Sequence, residues 1–231
     1  PELTERQRIQ QQSLAAGSAH FNPAGLREWL ATLQYPVWHL DFETMSPAIP
    51  LLDGTRPFQK VPFQFSVHVQ DRAGDEPTHF DFLATEPGDP RPVLIGALGQ
   101  IGKVGSVLAY NAPFEIGVLR GLGKAFPEHA GFCEGIVTRM RDLLEPFRSF
   151  HLYHPDQRGS CSIKAVLPAF TSMTYSDLQI SEGQQAAREF ERAVHGRSDD
   201  REQVLADLRA YCAQDTRAMV ALLDEVHEYA K

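Results

Sequence analysis

The hydrophobic positions of this chain fall into helical spacing, then strand alternation, then helical spacing again. Residues 3–16 (LTERQRIQQQSLAA) and 23–33 (PAGLREWLATL) favour helix, the second with Pro23 in its first turn. Residues 35–42 (YPVWHLDF) predict a buried strand, 61–70 (VPFQFSVHVQ) an alternating half-buried one, and 78–83 (THFDFL) a third, which together suggest a β-meander. The connection MSPAIPLLDGTRPFQK after the first strand is long for a compact domain, where such loops tend to be functional. A helix over 91–102, a strand over 104–110 and a helix from Pro113 then alternate, which argues for an α/β layer fold. Between 128 and 180 the pattern is weaker, with a short strand expected in TRMRDLL and a short helix in GSCSIKAVLPAF. From Asp199 to Lys231 a long helix is expected, opened by a capping box from Asp199 to Glu202.

Composition narrows the picture. The chain has 231 residues, 42% hydrophobic, enough for one large domain or a domain with an appendage. No apolar run approaches the roughly 18 residues of a spanning helix and the first residues hold no signal-peptide core, so no membrane association and a cytoplasmic location are expected. The opening residue is proline, which suggests a piece of a longer protein. Three cysteines without a C-x-x-C pair indicate neither a zinc ribbon nor a disulfide framework. The net charge of −8 argues against a broad basic coat for nucleic acid, though not against a site that grips a few nucleotides.

The acids change the reading most. Side chains two apart on a strand share a face, so Asp41 and Glu43 project together while Phe42 points away. A D-x-E triplet alone says little, since Asp200 and Glu202 form another at a helix start. The last helix says more. Its apolar stripe runs Val204, Leu208, Tyr211, Asp215, Met219, Leu222, Val226, so Asp215 faces the core with Tyr211 one turn before it and no Lys or Arg on that stripe. A lone buried carboxylate costs several kcal/mol, so Asp215 needs partners. Glu115 falls in the first turn of the helix after AYNAPFE. Two carboxylates ~5 Å apart repel by ~3 kcal/mol at an effective dielectric constant of ~20, so converging acids imply counter-charge. With oxygen donors alone, two divalent ions, Mg²⁺ or Mn²⁺, are expected rather than zinc.

The order D-x-E on a first strand, N-x-x-F-E at a later strand-to-helix junction and Y-x-x-x-D in a C-terminal helix resembles the DEDD superfamily of 3′-to-5′ exonucleases, in its DEDDy (DnaQ-like) branch. More closely, LDFET, PFQFSVH, YNAPFE, GSCSIKAVLP and YCAQDTRAMV look like an uncharacterised bacterial domain family often found C-terminal to a RecB-like nuclease domain. The resemblance covers about residues 36–228. It implies a ribonuclease-H-like mixed sheet flanked by helices over 35–231, behind an N-terminal helical appendage over 1–34. It implies hydrolysis of terminal phosphodiesters of single-stranded or 3′-ended DNA or RNA by two metal ions, and a possible upstream nuclease domain as partner. Carried over by position, Asp41, Glu43, Glu115 and Asp215 hold metal and Tyr211 orients the attacking water. Many such enzymes have Asp where Glu115 stands.

Thr44, Met45, Asn111, Phe114 and Lys164 are the expected substrate contacts. Asn111 alternatively fixes the turn before Glu115, and Lys164 alternatively caps a helix as a solvated side chain. Phe42 is expected in the core. Arg56, Phe58 and Gln59 suggest a channel for single strands or a packed connector. Two rivals are weaker: His195 with Asp200 as the H-x-x-x-x-D of the other DEDD branch, and His151 with His154 as zinc ligands. A glycosidase pair of Asp41 and Glu43 leaves Asp215 and Tyr211 without roles. The main alternative is a catalytically degenerate nucleic-acid-binding or assembly module.

Overall fold

The computed structural model describes residues 2–196 and 199–231. Helices α1 (Glu5–Ala16) and α2 (Pro23–Leu30) flank the short strand β1 (His20–Phe21). Strands β2 (Val37–Met45), β3 (Val61–Gln70) and β4 (Thr78–Leu83) follow, then α3 (Arg91–Leu98), β5 (Ser106–Ala109), α4 (Pro113–Ala125), α5 (Ala130–Val137) and β6 (Met140–Asp142). The chain continues through α6 (Leu144–Arg148), β7 (Leu152–Tyr153), α7 (Ile163–Phe170), α8 (Gly183–Phe190) and α9 (Arg201–Tyr229).

The main sheet is mixed, in the order β4-β3-β2-β5-β6, with an antiparallel meander on one side and two parallel strands on the other. Helices cover both faces. Leu40 and Phe42 point into one apolar layer with Leu94 and Leu98 of α3, Leu119 and Leu122 of α4, and Ile136 of α5. Val37 and Met45 point into the other, with Leu26 and Trp29 of α2, Leu167 of α7, Phe190 of α8 and the stripe of α9. That alternation puts His39, Asp41 and Glu43 on the α9 face. Phe63 stacks on Phe190 at 3.9 Å between ring centroids, which fastens α8 to the sheet. Among the described residues no helix is long and apolar enough to cross a membrane.

Strands β3 and β4 run over the residues their alternation predicts, and β6 and α7 appear where the weak signals stood. Strand β3 is buried on both faces rather than half-buried, because α9 covers its polar side, with Gln64 and Ser66 hydrogen-bonded to that helix. Four further expectations need correction. Strand β2 continues to Met45, because Thr44 and Met45 still pair with Pro62 and Val61 beyond a bulge at Glu43/Thr44; the acids lie within the strand, not at its end. Helix α3 stops at Leu98, and the following turns pass beneath Trp38, where a β-carbon on Gly102 would come within 2.8 Å of the indole. Strand β5 is confined to 106–109, since the chain enters through Gly105 at φ +84°, pressed against the Pro36 carbonyl. Helix α9 starts at Arg201 without the capping box: Asp200 makes no side-chain cap and instead pairs with Arg192 at 2.7 Å. Residues 197 and 198, between His195 and Asp200, lie outside the described residues.

A buried polar clasp sets the rotation of α9. Thr216 Oγ1 lies 2.7 Å from Ser66 Oγ and 2.8 Å from His68 Nδ1, both on β3, and Ser66 also meets His79 Nε2 at 2.9 Å. Burial lowers the proton affinity of His68 to a pKa of about 3, with the neighbouring His79 adding to it, so its ring is neutral and can share hydrogen bonds. Because Thr216 follows Asp215, this clasp fixes where Asp215 points.

Candidate functional site

Asp41 and Glu43 on β2 meet Asp215 of α9 so closely that one oxygen from each lies within 4.8 Å of the others. At that spacing each ionised pair repels by about 3 kcal/mol at an effective dielectric constant of about 20. Glu43 and Asp215 are buried, while Asp41 keeps some exposure toward a cavity of about 230 Å³ lined with Tyr110, Lys164, Tyr211 and Met219. The site sits toward the C-terminal ends of the parallel strands, where open α/β sheets usually place their ligands.

Electrostatics follow from this crowding. Burial, and then the charges of Asp215, Glu43 and Glu115, hold the Asp41 carboxyl well above the carboxylate range. Burial and Asp215 raise Glu43 to about 8, with Lys164 pulling the other way. Burial raises Asp215 to about 6, opposed by Tyr175, Lys164 and Tyr211. Tyr211 is 4% exposed, and burial beside three acids raises its pKa, so it offers a hydroxyl and not a phenolate. Without a cation, the cluster retains protons at neutral pH.

Glu115 stands beside the triad rather than within it. It is 2% exposed in the first turn of α4, its Oε2 has no hydrogen-bond partner, and burial followed by Asp142 and Glu43 raises its pKa. An orphaned buried carboxylate oxygen next to three crowded acids is chemically suited to a hard divalent cation. Asp41, Glu43 and Asp215 could hold one ion, and Asp41 with Glu115 a second.

The presenting turn is built around Asp142, which sequence reasoning passed over. Asn111 has φ +74° and its N–H donates to Asp142 Oδ1 at 2.9 Å, while the Leu144 N–H donates to the same oxygen at 3.0 Å. Asn111 thus shapes the turn through its backbone. Two further site members also lacked a sequence signal. Tyr175 Oη donates to Asp215 Oδ1 at 2.6 Å from the irregular segment before α8. Cys212, one turn before Thr216, places its sulfur 3.6 Å from Asp41 Oδ2. Gly183 opens α8 against Glu43; a β-carbon there would lie 3.5 Å from Oε2.

The remaining expected contacts divide. Lys164 is not a solvated cap: it lines the cavity, Nζ donates to the Ser181 carbonyl, and it lies 5.5 Å and 5.6 Å from the ring centres of Tyr211 and Tyr175. Its charge acts on both acids, lowering the proton affinity of Glu43 and Asp215 against the effect of burial. Thr44 is half-buried at the bulge, and Phe114 is half-buried beneath Lys60. Met45 is 1% exposed in the core, which leaves it no surface for a ligand, and Phe42 is likewise core. Of the rivals, Asp200 is held by Arg192, away from the triad. His154 Nδ1 accepts from the Asp156 N–H at 3.2 Å, and the His151 ring fills the space beside Gly25. Cys133, Cys161 and Cys212 are free thiols.

This is thus an α/β protein with a five-stranded mixed sheet, helices on both faces and a buried carboxylate cluster. The chain belongs to the family described as a domain of unknown function (DUF2779), whose profile matches residues 38–162. It is 26% identical over 206 residues to the uncharacterized protein MG366 homolog of Mycoplasma pneumoniae, covering 80% of this chain and 31% of that protein. It is 25% identical over 214 residues to the uncharacterized protein UU173 of Ureaplasma parvum, covering 80% and 30%. The chain spans about a third of the length of these curated relatives. No solved structure matches it.

Proposed function

We propose that this domain is a metal-dependent 3′-to-5′ exonuclease of ribonuclease-H-like fold. The observation that carries the reading is the buried convergence of Asp41, Glu43 and Asp215 beside Tyr211 and the unpartnered oxygen of Glu115. A meander extended by two parallel strands, with acids supplied by β2, the β5–α4 junction and α9, supports it. Divalent ions, when bound, would polarise water and phosphate and stabilise both entering and leaving oxygens. Asp41, Glu43 and Asp215 would then lose the protons that crowding imposes. Tyr211, as a neutral hydroxyl, orients the attacking water. Lys164 offsets negative charge on Glu43 and Asp215. Water adds to the terminal phosphorus, the bond to the preceding 3′ oxygen breaks, and that oxygen takes a proton as a nucleoside 5′-monophosphate departs. An upstream nuclease domain in the full-length protein, and a choice between DNA and RNA, belong to the same proposal.

The test is end-labelled single-stranded DNA and RNA with Mg²⁺ or Mn²⁺, beside Asp41→Ala. Stepwise shortening that the substitution abolishes is the expected result, and shortening that persists in the variant overturns the site. A second reading, a degenerate nucleic-acid-binding or assembly module, is favoured by the position of Glu115 outside the triad. It predicts no shortening with any divalent ion and no stabilisation by millimolar Mn²⁺.

A further inference from the structure

The loop joining β2 to β3 and the outer side of α4 enclose a groove of about 1000 Å³. Arg56, Lys60, Arg91 and Lys124 face it with only Asp53 and Asp89 as acids, in a chain whose net charge is −8. Arg91 and Asp89 neutralise each other at 2.7 Å. Among the described residues, no ion pair involves Arg56, Lys60 or Lys124. Phe58 projects at the groove with 72% of its surface exposed, on left-handed backbone at φ +59° held by its N–H donating to the Pro47 carbonyl at 3.0 Å. A bulky residue at positive φ is costly, and here the cost presents an aromatic ring to solvent. The groove runs toward the first turn of α4: Lys60 Nζ lies 4.1 Å from the centre of the Phe114 ring, and its charge opposes the raised proton affinity of the adjoining Glu115.

We propose that this groove holds the unpaired strand of a nucleic acid whose terminus lies at the carboxylates, with Phe58 stacked on a base and Arg56, Lys60 and Lys124 at phosphates. Its ligand class rests on the nuclease reading above. Cations with no ion pair among the described residues supply attraction to a polyanion, and an exposed ring supplies a stacking platform indifferent to sequence. An acidic peptide would use the cations and leave the ring idle, so the aromatic position favours nucleic acid.

The experiment measures fluorescence anisotropy of a labelled oligothymidylate of about 12 nucleotides in EDTA, where no cleavage confuses binding. Phe58→Ala should weaken binding about fivefold or more, as lost base stacking does. Arg56→Ala combined with Lys124→Ala should weaken it further at low salt and reduce the log–log salt slope by about 1.4, from about 0.7 per phosphate contact on single strands. Lys103→Ala, an exposed cation outside the groove, should change nothing. Wild-type binding by both groove variants overturns the proposal, as does equal loss in Lys103→Ala. Competition by polyglutamate together with no effect of Phe58→Ala also overturns it, in favour of an acidic peptide. Cleavage in Mn²⁺, assayed on the same proteins, separates the two readings. Cleavage with groove-independent binding sinks the groove alone, whereas groove-dependent binding without cleavage sinks the nuclease reading and leaves the groove standing.

Discussion

Replacing Glu43 by Gln removes one charge from the acidic cluster at nearly constant volume, and its effect on stability has a definite sign. In the folded protein Glu43 holds its proton up to about 8, against 4.5 for an ordinary glutamate. The folded state therefore binds a proton that the unfolded chain has already released. Below about 4.5 this difference vanishes; as pH rises toward 8 it increasingly favours unfolding, and above 8 the penalty is complete. Each tenfold change in proton affinity is worth about 1.4 kcal/mol, so the upper bound is about 5 kcal/mol. Sharing of protons with Asp41 and Asp215, and water in the cleft, reduce this to about 2 kcal/mol or more. In a domain of this size each kcal/mol moves Tm by roughly 2–4 °C. Differential scanning fluorimetry in EDTA at pH 8 should show Glu43→Gln melting about 5 °C above wild type, with the two converging near pH 5. Millimolar Mn²⁺ should raise wild type and not the variant. Equal melting in EDTA at pH 8 would refute the account of crowded, uncompensated carboxylates.

The clasp and the supporting contacts can be tested in urea. Thr216→Val leaves Ser66 and His68 without their shared partner and should cost about 1–3 kcal/mol. Tyr175→Phe removes the donor to Asp215 Oδ1; the loss, about 1–2 kcal/mol, should be present at pH 8, where Asp215 is ionised, and shrink as pH falls through about 6. Asp142→Ala strips the acceptor from the Asn111 and Leu144 N–H groups and should cost about 2–4 kcal/mol, with faster hydrogen exchange at Asn111. Asp142→Asn, which retains an oxygen, should cost much less.

Some of this protein could be read directly. Alternation over 61–70 located β3 although both its faces are buried, because its polar positions Gln64, Ser66 and His68 alternate with apolar ones and are hydrogen-bonded to α9. The stripe from Val204 to Val226 located the buried face of α9 because six apolar positions outvote one acid, and that acid was thereby marked. Strand parity put Asp41 beside Glu43. The region from 128 to 180 resisted because α5, α6 and β7 are shorter than the windows in which periodicity shows. The Asp199–Glu202 capping box failed because the helix begins one residue later, with Asp200 at its N-cap and that carboxylate paired with Arg192.

Sequence alone therefore determined which residues share a face, since parity and helical pitch are properties of the local backbone. It marked Asp41, Glu43, Tyr211 and Asp215 in that way. The meeting of β2 with α9, 171 residues apart between Asp41 and Cys212, was decided only in three dimensions. So were the contributions of Tyr175 to Asp215, of Lys164 at Ser181 and of Asp142 at Asn111, which join segments remote in sequence. Tertiary packing also separated Glu115 from the triad, because where a helix start comes to rest depends on the strand it follows and on the Asn111–Asp142 turn that turns it toward the acids.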